Sequence, residues 1–187
     1  MKREVIKISN RKSIGIDLDT TLNSLESTWL EHYNKDYIDN LTPKDLIKWD
    51  IENIVKTECG IKIFDYLHQP DFFYNLGIKP HAAETVEWLS NRYDIYIVTA
   101  YSPNVCVDKT KWVKEHLPFI DSKNIIFCNN KGTLNLDYLI DDGGHNIEAF
   151  KQCGIVFDMP YNRYLGDNYF RFTNWREILN FFIDEKI

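Results

Sequence analysis

The chain reads as an α/β protein, a doubly wound parallel sheet with helices on both faces and a small helical insertion. Three observations lead there. Short apolar runs ("IGIDLD", "DIYIVTA", "NIIFC", "LDYLIDD", "GIVFD") alternate with amphipathic stretches, the pattern of parallel strands joined by helical crossovers. One stretch, from about Leu22 to Leu76, is helical and aromatic-rich, has no convincing strand and is too long for a simple crossover. Finally, several of the apolar runs end in carboxylates or threonine, where a ligand site is expected in such sheets.

In order, "IGIDLD" is a buried strand. "LNSLESTWLEHYNKDY" and "PKDLIKWDIENIV" follow as helices, with Pro43 suited to a first turn. "KPHAAETVEWLSNRY" is an amphipathic helix with Pro80 near its start, and "DIYIVTA" is a β-branched strand. "SPNVCVDKTKWVKEHL" is the next helix, with Ser102 as N-cap and Pro103 at its first position. Strands "NIIFC" and "LDYLIDD", a short helix from about Asn146 and strand "GIVFD" come next. In "NWREILNFFIDE", Asn174 and Glu177 have the spacing of an N-cap and its partner. This gives a core of residues 1–22 and 79–187 and a helical subdomain of residues 23–78.

With 187 residues, 44% hydrophobic and 27% charged, the chain has enough material for such a core. Its net charge of −6 offers no basic surface to a nucleic-acid polymer or an anionic membrane. An acidic protein that handles phosphate needs a metal or a few placed cations. No window approaches the ~18 apolar residues of a membrane span, and "MKREVIKISNRKS" lacks a signal peptide's apolar stretch. Cys59, Cys106, Cys128 and Cys153 are far apart, with no zinc-site spacing, and read as reduced thiols. The expectation is a soluble, cytoplasmic protein.

The strand ends hold the chemistry. The first delivers Asp17 and Asp19, the second Thr99 followed by Ala100, Tyr101 and Ser102, and a later one Asp141 and Asp142. Lys131 lies in "CNNKGTLN", just before that last strand. Singly, each has an ordinary reading: an Asp as cap or turn former, Thr99 as a strand end, Lys131 as a surface charge. Together, four carboxylates at one sheet edge repel by several kcal/mol per close pair unless a cation sits among them. Carboxylate oxygens without histidine or thiolate select Mg²⁺.

"DLDTT", "VTA", a single lysine and "LIDD" resemble the four-motif signature of haloacid dehalogenase-like phosphohydrolases, whose core is Rossmann-like. "PDFFYNLGIKPHAAETVEWL", "YSP", "KTKWVKEHL", "YLIDD" and "NWREIL" are similar to blocks of the 5'(3')-deoxyribonucleotidases, from about Ser13 to Leu179. The resemblance implies a phosphatase that hydrolyses deoxyribonucleoside monophosphates through a phosphoaspartyl enzyme. Asp17 would be the nucleophile and Asp19 the general acid and base. Thr99 and Lys131 would act on the phosphate, with Thr21 and Ala100 also at the substrate. Mg²⁺ would be held by Asp17, the Asp19 carbonyl, Asp142 and, directly or through water, Asp141. The insertion would be a cap closing over the substrate, with Trp49, Phe72 and Phe73 as candidates for a base slot. Aromatic side chains of a small subdomain are equally its core.

The chain departs from that family's usual pattern in several places. Thr20 and Thr21 stand where Gly and Val are usual, and Leu25 where an aromatic is frequent. "TAYSP" is one residue longer than the short form, which brings Tyr101 toward the site, and "DDGGHN" differs after the acidic pair. His145 reads as a loop residue. The partner is a small nucleotide, with no polymer and no membrane, and a homodimer is compatible with the sequence. Two other readings remain: a phosphatase for another small ester such as a sugar phosphate, and a phosphoacceptor signalling domain. The aromatic insertion favours a base over a bare sugar, and a receiver needs no lid.

Overall fold

The computed structural model describes residues 11–184. Six strands form one parallel sheet: β1 (Ser13–Asp17), β2 (Asp94–Thr99), β3 (Ile125–Phe127), β4 (Tyr138–Asp141), β5 (Cys153–Phe157) and β6 (Phe170–Phe172). The spatial order is β3-β2-β1-β4-β5-β6. The sheet therefore winds outward in both directions, and the switch point falls between β1 and β4. Ile14, Ile16, Ile97, Leu139 and Ile140 have no solvent exposure, which is why these strands read as apolar runs rather than as alternating patterns.

Register fixes the site. Ile16 pairs with Ile140, so Asp17 and Asp141 end their strands side by side. On the other flank Asp17 is level with Val98, one residue before Thr99.

Helices α1 (Leu25–Tyr37), α2 (Ala82–Ser90), α3 (Cys106–His116), α4 (Gly144–Ala149) and α5 (Trp175–Asp184) complete the fold. The Asn174 cap is present: its Oδ1 accepts from Glu177 N at 3.0 Å. Glu177 Oε2 also accepts from Thr173 N at 2.7 Å. The indole of Trp175 donates to the Thr21 carbonyl at 3.0 Å, so the C-terminal helix braces the loop after β1.

Between Ser24 and Gly77 the chain forms α1, three 3₁₀ stretches and irregular connections, and no strand. It leaves and returns through a narrow neck: Ser24 N donates to Gly77 O at 2.9 Å, Lys79 N to Leu22 O at 2.8 Å, and Asn23 bridges Ile78. Leu30, Tyr33, Ile63 and Phe72 of this segment share one buried cluster with Ile14 and Ile16. Among the described residues no helix is long and apolar enough to cross a membrane.

Four expectations are corrected. "PKDLIKWDIENIV" is not a helix but two 3₁₀ turns, Pro43–Asp45 and Ile51–Asn53, around an irregular Leu46–Asp50. Thr42 N and Oγ1 both bond to Asp45 Oδ2, closing the first turn locally, and Trp49 is drawn out across the cleft. Helix α3 begins at Cys106, because the Ser102 carbonyl accepts from Val105 N and closes a separate turn first. Strand β6 and a 3₁₀ turn at Pro160–Leu165 were not expected; β6 is a short edge strand whose Phe170 is half exposed. His145 lies inside α4, not in a loop.

Candidate active site

The C-terminal ends of β1, β2 and β4 border a cleft of about 510 Å³. Oxygens of Asp17, Asp141 and Asp142 lie within 4.8 Å of one another, and all three residues are buried. Lys131 Nζ bonds to Asp17 Oδ1 and, at 2.6 Å, to Asp141 Oδ2. Lys131 opens a 3₁₀ turn packed against α4. The next residue has to be glycine, since a Cβ on Gly132 would stand 2.7 Å from the Ala149 carbonyl.

Asp141 is held from its other side by Gly143 N at 2.7 Å and Asn146 Nδ2 at 3.1 Å, both on its Oδ1. Asp142 accepts from Thr21 Oγ1 at 3.1 Å and from the Tyr161 hydroxyl. Asn162 Nδ2 fixes the Asp142 carbonyl at 2.8 Å and is itself held by Arg171.

Burial pushes the Asp17 carboxyl well up, and Asp141, Asp142 and Asp19 push it further, against the opposing pull of Lys131. Burial, then Asp141, raises Asp142 to about 7, opposed by Tyr161, Lys131 and Thr21. Burial by itself depresses the Lys131 ammonium, but Asp141 and Asp17 outweigh it and keep it charged.

Asp19 belongs to a second cluster. Its Oδ2 accepts from Lys109 Nζ at 2.5 Å and Thr99 Oγ1 at 3.3 Å, and its Oδ1 from Asn23 Nδ2 at 3.1 Å. Lys109 also bonds Thr99 Oγ1 at 2.9 Å and lies 4.7 Å from the centre of the Phe73 ring. Between Asp19 and these partners Thr20 takes φ 65°, a left-handed conformation costly for a β-branched residue. The hydrogen bond from Thr20 N to Asn23 Oδ1 at 3.1 Å holds it there.

Four carboxylates (Asp17, Asp19, Asp141, Asp142) thus face two ammonium groups (Lys109, Lys131), leaving an excess of two negative charges if all are ionised. The donors around the three-carboxylate cluster are all hard oxygens. Both features fit one divalent cation of the Mg²⁺ type.

The cleft is lined as well by aromatic and apolar side chains: Trp29, Trp49, Phe64, Leu67 and Phe73. Trp49, more than half exposed, meets the rings of His145 at 4.8 Å and Tyr161 at 5.3 Å, reaching from the insertion to the core.

Of the residues expected from sequence, Asp17, Asp19, Ala100, Lys131, Asp141, Asp142, Trp49 and Phe73 line the cleft. Thr21 and Thr99 are fully buried behind the carboxylates, where their hydroxyls serve Asp142 and Asp19. Phe72 does not line the cleft; it packs edge-on to His32 and Phe73 in the core of the insertion. Tyr101 also stays outside, half exposed, because its amide N is tied to Asn129 Oδ1 at 2.6 Å.

Sequence reasoning missed Lys109, Tyr161, Asn146 and Asn162. Lys109 had a signal, being a lysine on the stripe of α3 that buries Trp112 and Val113. The others had none, since their partners are brought together only by the fold.

A Rossmann-like sheet with an insertion after β1 is the fold of haloacid dehalogenase-like proteins. A solved hydrolase of that kind, SP0104 from Streptococcus pneumoniae, superposes with a TM-score of 0.59 at 14% identity, over 94% of this chain and 100% of that one. Residues 11–187 match the family described as 5' nucleotidase, deoxy (pyrimidine), cytosolic type C protein. A 5'(3')-deoxyribonucleotidase of Clostridium acetobutylicum is 50% identical over 169 residues, 90% of this chain and 93% of that protein. One from Bacillus subtilis is 36% identical over 172 residues, 90% of this chain and 96% of that protein. The chain is an enzyme of the 5'(3')-deoxyribonucleotidase family.

Proposed function

We propose that the protein hydrolyses 5'(3')-deoxyribonucleoside monophosphates to deoxynucleoside and phosphate, with Mg²⁺ bound by Asp17, Asp142 and the Asp19 carbonyl and with Asp141 beside them. The observation that carries this reading is the mixed lining of one cleft, which brings the carboxylates and Lys131 together with the aromatic side chains Trp29, Trp49, Phe64 and Phe73. Phosphate belongs beside Lys131 and the carboxylates, and a flat base against the aromatic side chains. The 50% identity to a deoxyribonucleotidase supports the same substrate class.

In this mechanism Asp17 attacks phosphorus, the phosphate–sugar oxygen bond breaks, and Asp19 gives its proton to the departing oxygen. Water then attacks the phosphoaspartate, returns a proton to Asp19 and frees phosphate and Asp17. Lys131 keeps Asp17 in line and balances charge on the phosphoryl group. Lys109 and Thr99 orient Asp19, and Thr21 and Tyr161 orient Asp142. When bound, the cation neutralises charge that builds on the phosphoryl oxygens. Residues 23–78 act as the cap that excludes water, with Trp49 as its contact to the core. Free thiols at Cys59, Cys106 and Cys128 suit a cytoplasmic setting.

Phosphate release across dUMP, dTMP, dGMP, UMP, a 3'-deoxynucleotide and several sugar phosphates tests the reading. Turnover is expected to concentrate on the deoxynucleotides. Turnover spread over the sugar phosphates would leave the carboxylate chemistry in place and overturn the base slot.

A further inference from the structure

Glu26 stands in the first turn of α1, and its side chain is only 7% exposed. Oε1 accepts from Lys79 Nζ at 2.5 Å, across the neck where the insertion joins the core. Oε2 is buried and has no hydrogen-bond partner among the described residues. Yet Glu26 lines the cleft together with Asp17, Asp19 and Tyr161. A buried carboxylate oxygen left without a donor is destabilising, and in a residue that lines the cleft a bound ligand can supply the missing donor.

Charge and position identify that donor. Lys79 already balances the Glu26 charge, so the free oxygen suits a neutral O–H or N–H rather than a second cation. Trp29, three residues further along α1, lies on the same helix face one turn away and lines the same cleft. Asp19, Leu25, Glu26 and Trp29 thus all line one cleft. A nucleotide with its phosphate at the carboxylates and its base against Trp29 would bring its sugar to Glu26.

We propose that Glu26 is a specificity-determining residue whose Oε2 accepts a hydrogen bond from the free sugar hydroxyl of the nucleotide, an inference that rests on the deoxyribonucleotide reading above. A deoxyribonucleoside 5'-monophosphate keeps one sugar hydroxyl, the 3'-OH, and the single unpartnered acceptor matches that single donor. The bond to Lys79, itself anchored by its amide to the Leu22 carbonyl at 2.8 Å, holds the acceptor in place before substrate arrives.

The test compares kcat/KM of the wild-type enzyme on dTMP, 2',3'-dideoxythymidine 5'-monophosphate and its 3'-fluoro analogue, neither of which can donate from the 3' position. Both analogues are expected to fall about 10- to 100-fold below dTMP, as for loss of a hydrogen bond to a charged group. In Glu26→Gln the amide oxygen turns to Lys79 and the NH₂ to the cleft, so the gap is expected to close. The same closure is expected in Glu26→Leu/Lys79→Met, which removes both charges at similar volume. A merely structural role would lower all three substrates alike and leave their ratio unchanged. Equal turnover of the three by wild type, or a gap that persists in either variant, overturns the proposal while activity on dTMP upholds the enzyme's substrate class. Failure of that class shows differently, as sugar phosphates hydrolysed and dTMP untouched.

Discussion

Asp17→Asn is expected to lower kcat by at least about 10⁴-fold, the scale seen when a nucleophile is removed, while the protein stays folded. Asparagine fills the same space at the end of β1 and cannot form the phosphoaspartate. The substitution also removes a carboxyl that burial and three neighbouring carboxylates already disfavour in its charged form. Lys131 keeps its 2.6 Å bond to Asp141, so it is not left without a counter-charge. Steady-state phosphate release and a thermal melt, run side by side, separate the two effects. Turnover within about tenfold of wild type would contradict the nucleophile's assignment, since general acid–base effects alone span about 10²–10⁴.

Lys131→Met is expected to be costly to both fold and activity. The lysine is 4% exposed and sits between Asp17 and Asp141. Removing one partner of a buried ion pair costs about 3–5 kcal/mol, and about 2–4 °C in Tm per kcal/mol is usual at this size. Activity is expected to fall by about 10²–10³, as for loss of one charge-stabilising group.

The stability loss has a pH signature. A carboxyl whose folded pKa lies above its unfolded value contributes stability at low pH that is lost as pH rises through the folded value. Asp142, raised from 3.8 to about 7, and Asp17, raised well above 3.8, are such groups in the metal-free protein. Without Lys131 they rise further and take up protons. The Tm gap between wild type and Lys131→Met, measured in EDTA, is therefore expected to be wide at pH 8 and narrow at pH 5. A gap independent of pH would show that the loss comes from packing and not from uncompensated carboxylates.

Much of this site is visible in the chain because parallel strands buried on both faces are continuous apolar runs, and their ends are abrupt. Asp17, Thr99 and Asp141 each terminate such a run, so their order in sequence already places them at one sheet edge. Lys131 is legible only through the family resemblance, since nothing in "CNNKGTLN" says that its side chain is buried. Lys109, Tyr161 and Glu26 depend on contacts between residues 90, 19 and 53 positions apart, which no local pattern encodes. The helix expected at Pro43 is absent for a related reason: Trp49 meets His145 and Tyr161 across the cleft, partners far along the chain that no local pattern encodes. Strand β6 is three residues long and pairs only with β5, too short for its alternation to register.

The most direct measurement is phosphate release from dTMP by the wild-type enzyme in Mg²⁺, then in excess EDTA, then with Mg²⁺ restored. A cluster of Asp17, Asp141 and Asp142 that works only when a divalent cation offsets its charge predicts turnover lost in EDTA and regained on adding Mg²⁺. Turnover of dTMP that persists undiminished in EDTA would contradict it.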